Sequence, residues 1–255
     1  MHDLAIAGAG PVGATLALGL AGQGLDIVVL DARPAGGTLR GDRSLALSHG
    51  SRLILERLGV WAELEAVAGA VTPIREIDIS QARGFGVTRL RATEAGLPAL
   101  GYVASYVALQ GALDAALERA GVAVRFDSEV AAVDAGDGHA SIRFAREGAA
   151  PLAARLAAVA DGSGTAVAGI GRERHDYHQH ALVAPLWRDA PHDGVAYERF
   201  TRSGPIALLP ERDHYGLVWT LPPERIAPML ALDERGFMAQ LAHAFGPRVS
   251  GFTRV

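Results

Sequence analysis

A doubly wound α/β domain, interleaved with an antiparallel β-sheet layer that carries its own helices, is the fold this sequence predicts. Three observations predict it. The chain opens on a strand, a glycine turn, a helix of small residues and a second strand ending in an acid, which is the order of a βαβ unit. Apolar segments of helical and strand period then alternate as far as Arg174. Beyond Arg174 the character changes to strands joined by short turns.

The first unit is the most informative. Leu4-Ala5-Ile6-Ala7 runs into Gly8-Ala9-Gly10-Pro11-Val12-Gly13, and Ile27-Val28-Val29-Leu30-Asp31 closes the unit. Gly8 allows the tight turn, Gly10 lets a pyrophosphate approach the backbone, and Gly13 lets the helix pack close to the strand. This is the Rossmann-like arrangement, in which the N–H groups and dipole at the helix start face phosphates. Asp31 lies 18 residues beyond Gly13, the distance at which a carboxylate reaches ribose hydroxyls. An acid there rather than Arg suits FAD or NAD better than NADP, and spacing alone does not choose between those two. A βαβ unit without a ligand rarely needs three glycines at these positions.

A glycine-rich loop over 32–41 follows, then Asp42-Arg43-Ser44-Leu45-Ala46-Leu47-Ser48. Ser48 reads as the N-cap of a helix over 52–58 that Gly59 ends, and 61–68 as a further short helix. Pro73 opens half-exposed strands over 74–79 and 87–90, an excursion into a second layer. Leu109, Leu113, Ala116 and Leu117 fall at helical spacing in a helix over 110–120, ended by Gly121. Strands are expected over 122–126 and 140–144 around a turn at 134–138, and a buried strand over 156–160 leads into Asp161-Gly162-Ser163-Gly164-Thr165. Strands over 181–186, 195–201, 205–209 and 215–220 come next, stopped by Pro222 and Pro223, and a helical stretch covers 227–245. The expected organisation is a discontinuous nucleotide domain, 1–72 with 100–174, and a sheet-rich domain, 73–99 with 175–255.

Composition narrows the chemistry. With 255 residues, 49% of them hydrophobic, the chain can bury a sizeable core. A net charge of −4 gives no basic footprint for nucleic acid. All 24 basic residues are Arg, so Schiff-base and P-loop lysines are excluded. With no Cys, disulfides, thiolate catalysis, iron–sulfur ligation and zinc–thiolate sites are excluded too. The start lacks the basic and apolar regions of a secretory signal, and no apolar run reaches 18 residues, so a cytoplasmic protein without a membrane-spanning helix is expected.

Several polar residues have plain structural roles as alternatives. His175, His178 and His180 cluster with Asp176, and His178 and His180 would share one side of a strand. A polar strand edge accounts for them better than a metal site, since no spacing such as HExxH is present. His214 and Tyr215 are expected at the surface of a turn, and Trp187 and Trp219 in packing. Arg43 could pair with Asp42, and Asp161 could cap a following helix.

Taken together, Gly8-Ala9-Gly10-Pro11-Val12-Gly13 with Asp31, Gly41-Asp42-Arg43-Ser44-Leu45-Ala46-Leu47-Ser48 and Ala160-Asp161-Gly162 resemble the group A flavoprotein monooxygenases. Asp176-Tyr177-His178-Gln179-His180-Ala181-Leu182-Val183 is similar to a signature of the ubiquinone-biosynthesis hydroxylases of 2-polyprenyl-6-methoxyphenol hydroxylase type. So is Glu198-Arg199-Phe200-Thr201-Arg202-Ser203-Gly204-Pro205-Ile206-Ala207-Leu208-Leu209-Pro210, ending in Val218-Trp219-Thr220. The resemblance spans essentially the whole chain.

The resemblance implies that the nucleotide domain binds FAD and the sheet-rich domain the substrate. Gly8, Gly10, Pro11, Val12 and Gly13 would hold the pyrophosphate, Asp31 the adenosine ribose, and Arg33 would join the same cofactor set. Arg43 would reach the flavin side of the pyrophosphate, Gln110 would lie near the FAD, and Asp161 with Gly162 would serve FAD and the reduced nicotinamide. Where the family's motif continues to an Arg, Ala168 stands here. The reaction implied is hydroxylation of the aromatic ring of a polyprenyl phenol in ubiquinone biosynthesis, through a flavin C4a-hydroperoxide made from NAD(P)H and O₂. The resemblance needs no side-chain nucleophile, leaves the catalytic residues unknown and implies no metal. NAD(P)H would bind transiently. The partners implied are a prenylated aromatic substrate and peripheral contact with the inner membrane or a biosynthetic complex. The family continues to a second FAD motif, Gly-Asp followed by Ala-Ala-His, beside the flavin ring. The sequence reaches Phe252-Thr253-Arg254-Val255 without it, so an incomplete flavin site is expected. The alternatives are an FAD hydroxylase of a soluble aromatic compound and a non-catalytic binding subunit.

Overall fold

The computed structural model describes residues 1–37, 43–136, 138–162, 165–171, 173–246 and 249–255. The chain begins with β1 (His2–Ala7), α1 (Pro11–Leu20), β2 (Ile27–Leu30), β3 (Ser44–Ser48), α2 (His49–Arg57), α3 (Trp61–Ala66), β4 (Val71–Ile74), β5 (Glu76–Gln81) and β6 (Val87–Arg91). It continues through β7 (Gly101–Ser105), α4 (Tyr106–Arg119), β8 (Ala123–Arg125), β9 (Val130–Gly136), β10 (His139–Phe144), β11 (Leu152–Val159) and β12 (Ala166–Val167). The last part holds β13 (His180–Arg188), β14 (Val195–Thr201), β15 (Gly204–Glu211), β16 (His214–Leu221), α5 (Pro223–Leu230), α6 (Glu234–Phe245) and β17 (Phe252–Arg254). The expected α/β fold with an antiparallel layer is what these elements build.

Two compact units result. The first comprises Met1–Arg43, Ile54–Ala66 and Tyr106–Glu173. Its sheet runs β12-β9-β10-β11-β1-β2-β8. β11, β1, β2 and β8 are parallel neighbours, whereas β9, β10 and β11 form an antiparallel meander. β2 is buried at every residue, the pattern of a strand covered on both faces. The small residues of α1 explain its close approach to the sheet, with Ala14 and Ala17 fully buried. The helix expected over 110–120 begins earlier, at Tyr106, and buries Leu109, Leu113, Ala116 and Leu117 as the spacing predicts.

Three expectations in this unit need correction. The strand facing β10 across the turn is β9, not 122–126, because the latter pairs with β2 as β8. Asp137 of that turn lies outside the described residues. The strand expected to be buried over 156–160 is buried only at Leu152 and Ala154, within β11. Leu156 is 69% exposed and lines an open hollow with Leu20 and Leu25, since an apolar run does not reveal which face is covered. Among the described residues no helix starts at Asp161. Its carboxylate instead accepts from the N–H and the hydroxyl of Thr165, both at 2.6 Å, just before β12. Ser163 and Gly164 lie outside the described residues.

The second unit comprises Ser44–Leu53, Val67–Ser105 and Arg174–Val255. A small antiparallel sheet, β3-β7-β4, accompanies a larger one, β17-β13-β16-β15-β14-β5-β6. β3 and β7 are not among the expected strands: β3 alternates exposed and half-buried residues over only five positions, and β7 is buried throughout. Along β15 and β16 buried and half-buried positions alternate strictly, as in a sheet with one covered face. Ile206, Leu208, Tyr215, Leu217 and Trp219 share the core with Met229 of α5 and Leu241 and Phe245 of α6. Trp219 thus packs as expected, but Tyr215 is core rather than surface. The Ser48 hydroxyl accepts from the Ser51 N–H at 3.0 Å, the cap expected at the start of α2. The helical stretch 227–245 is two helices: Pro222 and Pro223 start α5, and the Asp233 carboxylate caps α6. His178 sits at φ 50° before β13 begins, so it shares no strand face with His180.

Candidate functional site

The glycine turn between β1 and α1 is built from parallel-strand geometry. Gly8 N–H donates to Leu30 O at 2.7 Å and Ala160 N–H donates to Ala7 O at 2.7 Å, which ties the turn to both neighbouring strands. A Cβ on Gly8 would lie 2.6 Å from Ala160 O, and φ is +100° there, so only glycine fits. A Cβ on Gly13 would run into Gly8 O, so this position lets α1 meet the turn. Gly10 differs, because a Cβ there meets nothing within 4 Å. The three glycines thus divide into two that the fold requires and one that borders open space.

That space is a cavity of about 540 Å³ lined by Gly8, Gly10, Pro11, Val12, Asp31, Arg33, Arg43, Asp161 and Gly162, with Tyr106, Ser128 and Glu129 among its other walls. Nine of the residues expected to bind cofactor are therefore brought together. Gly13 and Gln110 are not wall residues but stand behind the turn. Gly10 is the N-cap of α1, no side chain caps it, and Pro11 occupies the first turn. The first-turn amides therefore have no intrahelical acceptor and are available to an anion at the cavity wall. The Arg43 guanidinium lies over the Tyr106 ring, 4.6 Å from its centroid. Asp42, its alternative partner, and Gly41 lie outside the described residues. An uncapped helix start, a glycine that leaves room and a guanidinium suit a pyrophosphate, so these residues fit FAD.

Asp31 is 6% exposed and both its oxygens are engaged. Oδ2 accepts from Ala9 N–H at 2.6 Å, and Oδ1 accepts from Arg33 N–H at 2.7 Å and Arg33 Nε at 3.1 Å. Arg33 in turn donates through Nη1 and Nη2 to Asp114 at 3.1 and 3.2 Å. Gln110, fully buried, donates through Nε2 to Ala9 O and to Asp114, both at 2.8 Å. Burial alone would lower the Arg33 guanidinium, but the Asp114 hydrogen bonds and the charges of Asp31 and Asp114 outweigh it and hold it above its ordinary value. Asp114 was not among the expected site residues. Its one signal is its place a helical turn beyond Gln110 on α4.

In the second unit, strand register sets Glu198 beside Ala207 and Ile79, with Val218 and Val183 following on the same face, opposite the core of α5 and α6. Burial pushes the Glu198 carboxyl above its ordinary value. Burial also pushes the Tyr215 phenol up to about 12. Among the described residues no helix is long and apolar enough to cross a membrane, and no group of three or more His, Cys, Asp or Glu is placed to hold a metal ion.

A family model described as FAD binding domain matches residues 1–231. The chain is 31% identical over 256 residues to the uncharacterized protein slr1300 of Synechocystis, covering 98% of this chain and 61% of that one. It is 31% identical over 260 residues to the 3-demethoxyubiquinol 3-hydroxylase of Escherichia coli, covering 98% of this chain and 65% of that one. The chain thus spans less than two thirds of these relatives. The crystal structure of p-nitrophenol 4-monooxygenase PnpA from Pseudomonas putida superposes with a TM-score of 0.70 at 16% identity, covering 96% of this chain and 62% of that one. That likeness establishes the shared two-domain fold.

Proposed function

The chain belongs to the FAD binding domain family, and from that premise we propose that it serves an aromatic hydroxylase of ubiquinone biosynthesis. Its substrate in this proposal is a polyprenyl phenol, its reductant NAD(P)H and its oxidant O₂. One oxygen atom enters a ring C–H bond and the other leaves as water, with NAD(P)H and a proton supplying the two remaining reducing equivalents. The cradle carries the proposal: Gly10 opens onto the cavity at the uncapped start of α1, beside Asp31. The 31% identity to a 3-demethoxyubiquinol 3-hydroxylase along nearly the whole chain supports the substrate class.

FAD, when bound, supplies the oxygen-activating chemistry. The chain's own residues bind and orient. The amides of Val12 and Gly13 and the bare Gly10 backbone would take the pyrophosphate, and Arg43 would neutralise its charge. Asp31 would take the adenosine ribose, and Asp161 with Gly162 would form the wall beside Gly8. In this assignment the first unit is the FAD-binding part and the second the substrate-binding part, whose sheet offers an apolar face for a ring. A prenylated substrate would bring the protein to the membrane surface as a peripheral visitor.

The test begins with the visible spectrum of the purified chain after adding excess FAD and removing the unbound part. Retained flavin bands are expected, followed by NAD(P)H oxidation that a short-chain polyprenyl phenol accelerates and a product one oxygen atom heavier. Retained flavin with acceleration only by soluble phenols would overturn the substrate class. Absence of flavin bands at saturating FAD together with absence of ADP-ribose binding would overturn the assignment of the cradle.

A further inference from the structure

We propose that Asp114 is a specificity-determining residue of the nucleotide cradle: it holds the Arg33 guanidinium, so that Asp31 is presented to the ribose and a ribose 2′-phosphate is turned away. The proposal rests on the reading of the glycine turn as the FAD cradle.

The geometry is a closed ring of hydrogen bonds. It passes from the Ala9 N–H to Asp31, from Asp31 to Arg33, from Arg33 to Asp114, from Asp114 to Gln110 and from Gln110 back to the Ala9 carbonyl. Both polar groups of the Ala9 peptide, the residue between the first two glycines, are fixed by it. Asp31 can turn toward a ribose only as Arg33 and Ala9 allow, and Arg33 is set by Asp114. The Asp114 carboxylate takes both Nη groups side by side, the arrangement in which a guanidinium is most firmly held.

The same contact decides charge. Arg33 lines the cavity next to Asp31, and an Arg near that acid is what accommodates a 2′-phosphate in nucleotide-binding turns. Here its Nη edge faces Asp114 and its Nε faces Asp31. Two carboxylates against one guanidinium leave this end of the cradle with one excess negative charge, which repels a further phosphate. Removing the Asp114 charge frees the Nη edge and cancels the excess. A cradle so arranged accepts the adenosine half of FAD and refuses that of NADPH.

The experiment measures ADP-ribose and 2′-phospho-ADP-ribose as competitors of FAD on the 255-residue chain. The readout is the ratio of their dissociation constants, in which any loss of folded protein cancels. The wild-type chain is expected to favour ADP-ribose by at least about tenfold, the scale of one charge-assisted hydrogen bond. In Asp114→Asn, which keeps an acceptor for Gln110, that preference should shrink by roughly tenfold, and in Asp114→Ala by no less. Adding Arg33→Met to either variant should restore the preference, because the freed cation is gone. An unchanged ratio in both Asp114 variants overturns the inference, as does a relaxed ratio that survives Arg33→Met. If the wild-type chain binds neither FAD nor ADP-ribose, the cradle reading falls and the inference with it.

Discussion

Gly8, Gly10 and Gly13 look equivalent in a motif but differ in what a side chain would meet. A Cβ on Gly13 runs into the Gly8 carbonyl, whereas one on Gly10 stands in open space. Gly13→Val should therefore destabilise the apo protein by about 1–3 kcal/mol or more, the usual cost of overpacking. Gly10→Val should leave the apo melting temperature near that of the wild type yet remove FAD binding. Thermal melts and flavin fluorescence titrations of both variants separate the two roles, and a Gly10→Val chain with wild-type FAD affinity would contradict them. Asp31, in the proposed assignment, would combine both roles. Its carboxylate anchors the Ala9 N–H and Arg33, so Asp31→Ala should weaken FAD by about 1–3 kcal/mol and also lower apo stability by a comparable amount, as expected for an unpaired buried N–H. Equilibrium denaturation without FAD, beside titration with it, measures the two effects separately.

At the scale of elements, strand alternation fixes which residues share a face, and Glu198 of β14 falls on the open face of its sheet with Ala207 and Ile79. Burial raises its pKa, so the folded chain holds the proton to higher pH than the unfolded chain does. The associated stability is fully present below the ordinary glutamate range and is lost as pH rises through the folded-state value. Glu198→Gln should thus match the wild type near pH 4 and melt above it at neutral pH. Equal melting temperatures at both ends of that range would sink the argument. The elements the sequence revealed best were those with a strong local pattern: the apolar runs of β1 and β2 around the glycine turn, the helical spacing of α4 and the strands from β13 to β16. β3 and β7 carried no comparable pattern, since each is five residues long and β3 takes its partner β7 from far along the chain. β9, by contrast, pairs with β10 across the very turn the sequence showed, and only its place in the chain was misjudged. The cradle was legible for a similar reason, because glycine spacing records backbone geometry directly. The ring through Asp114 was not, because a salt bridge between residues 33 and 114 leaves no local trace.

For the whole molecule, each unit has its own core: Val28, Leu30, Val133 and Ile142 in the first, and Ile206, Leu208, Leu217, Trp219 and Phe245 in the second. The cavity expected to take FAD is lined by residues of the first unit alone. A ligand that binds only the folded state stabilises it by RT ln(1 + [L]/Kd), which is about 2.7 kcal/mol at a hundredfold excess over Kd. For a chain of this size that amounts to a rise of roughly 5–10 °C in melting temperature. The expected outcome is a shift of that order in the transition of the first unit on adding FAD, and a much smaller one with FMN, which lacks the adenosine and the second phosphate that Asp31 and the start of α1 would hold. Equal shifts with FAD and FMN would place the recognised half of the cofactor elsewhere. The contrast is informative because flavin mononucleotide carries the reactive ring, so only a cradle built for the dinucleotide distinguishes the two.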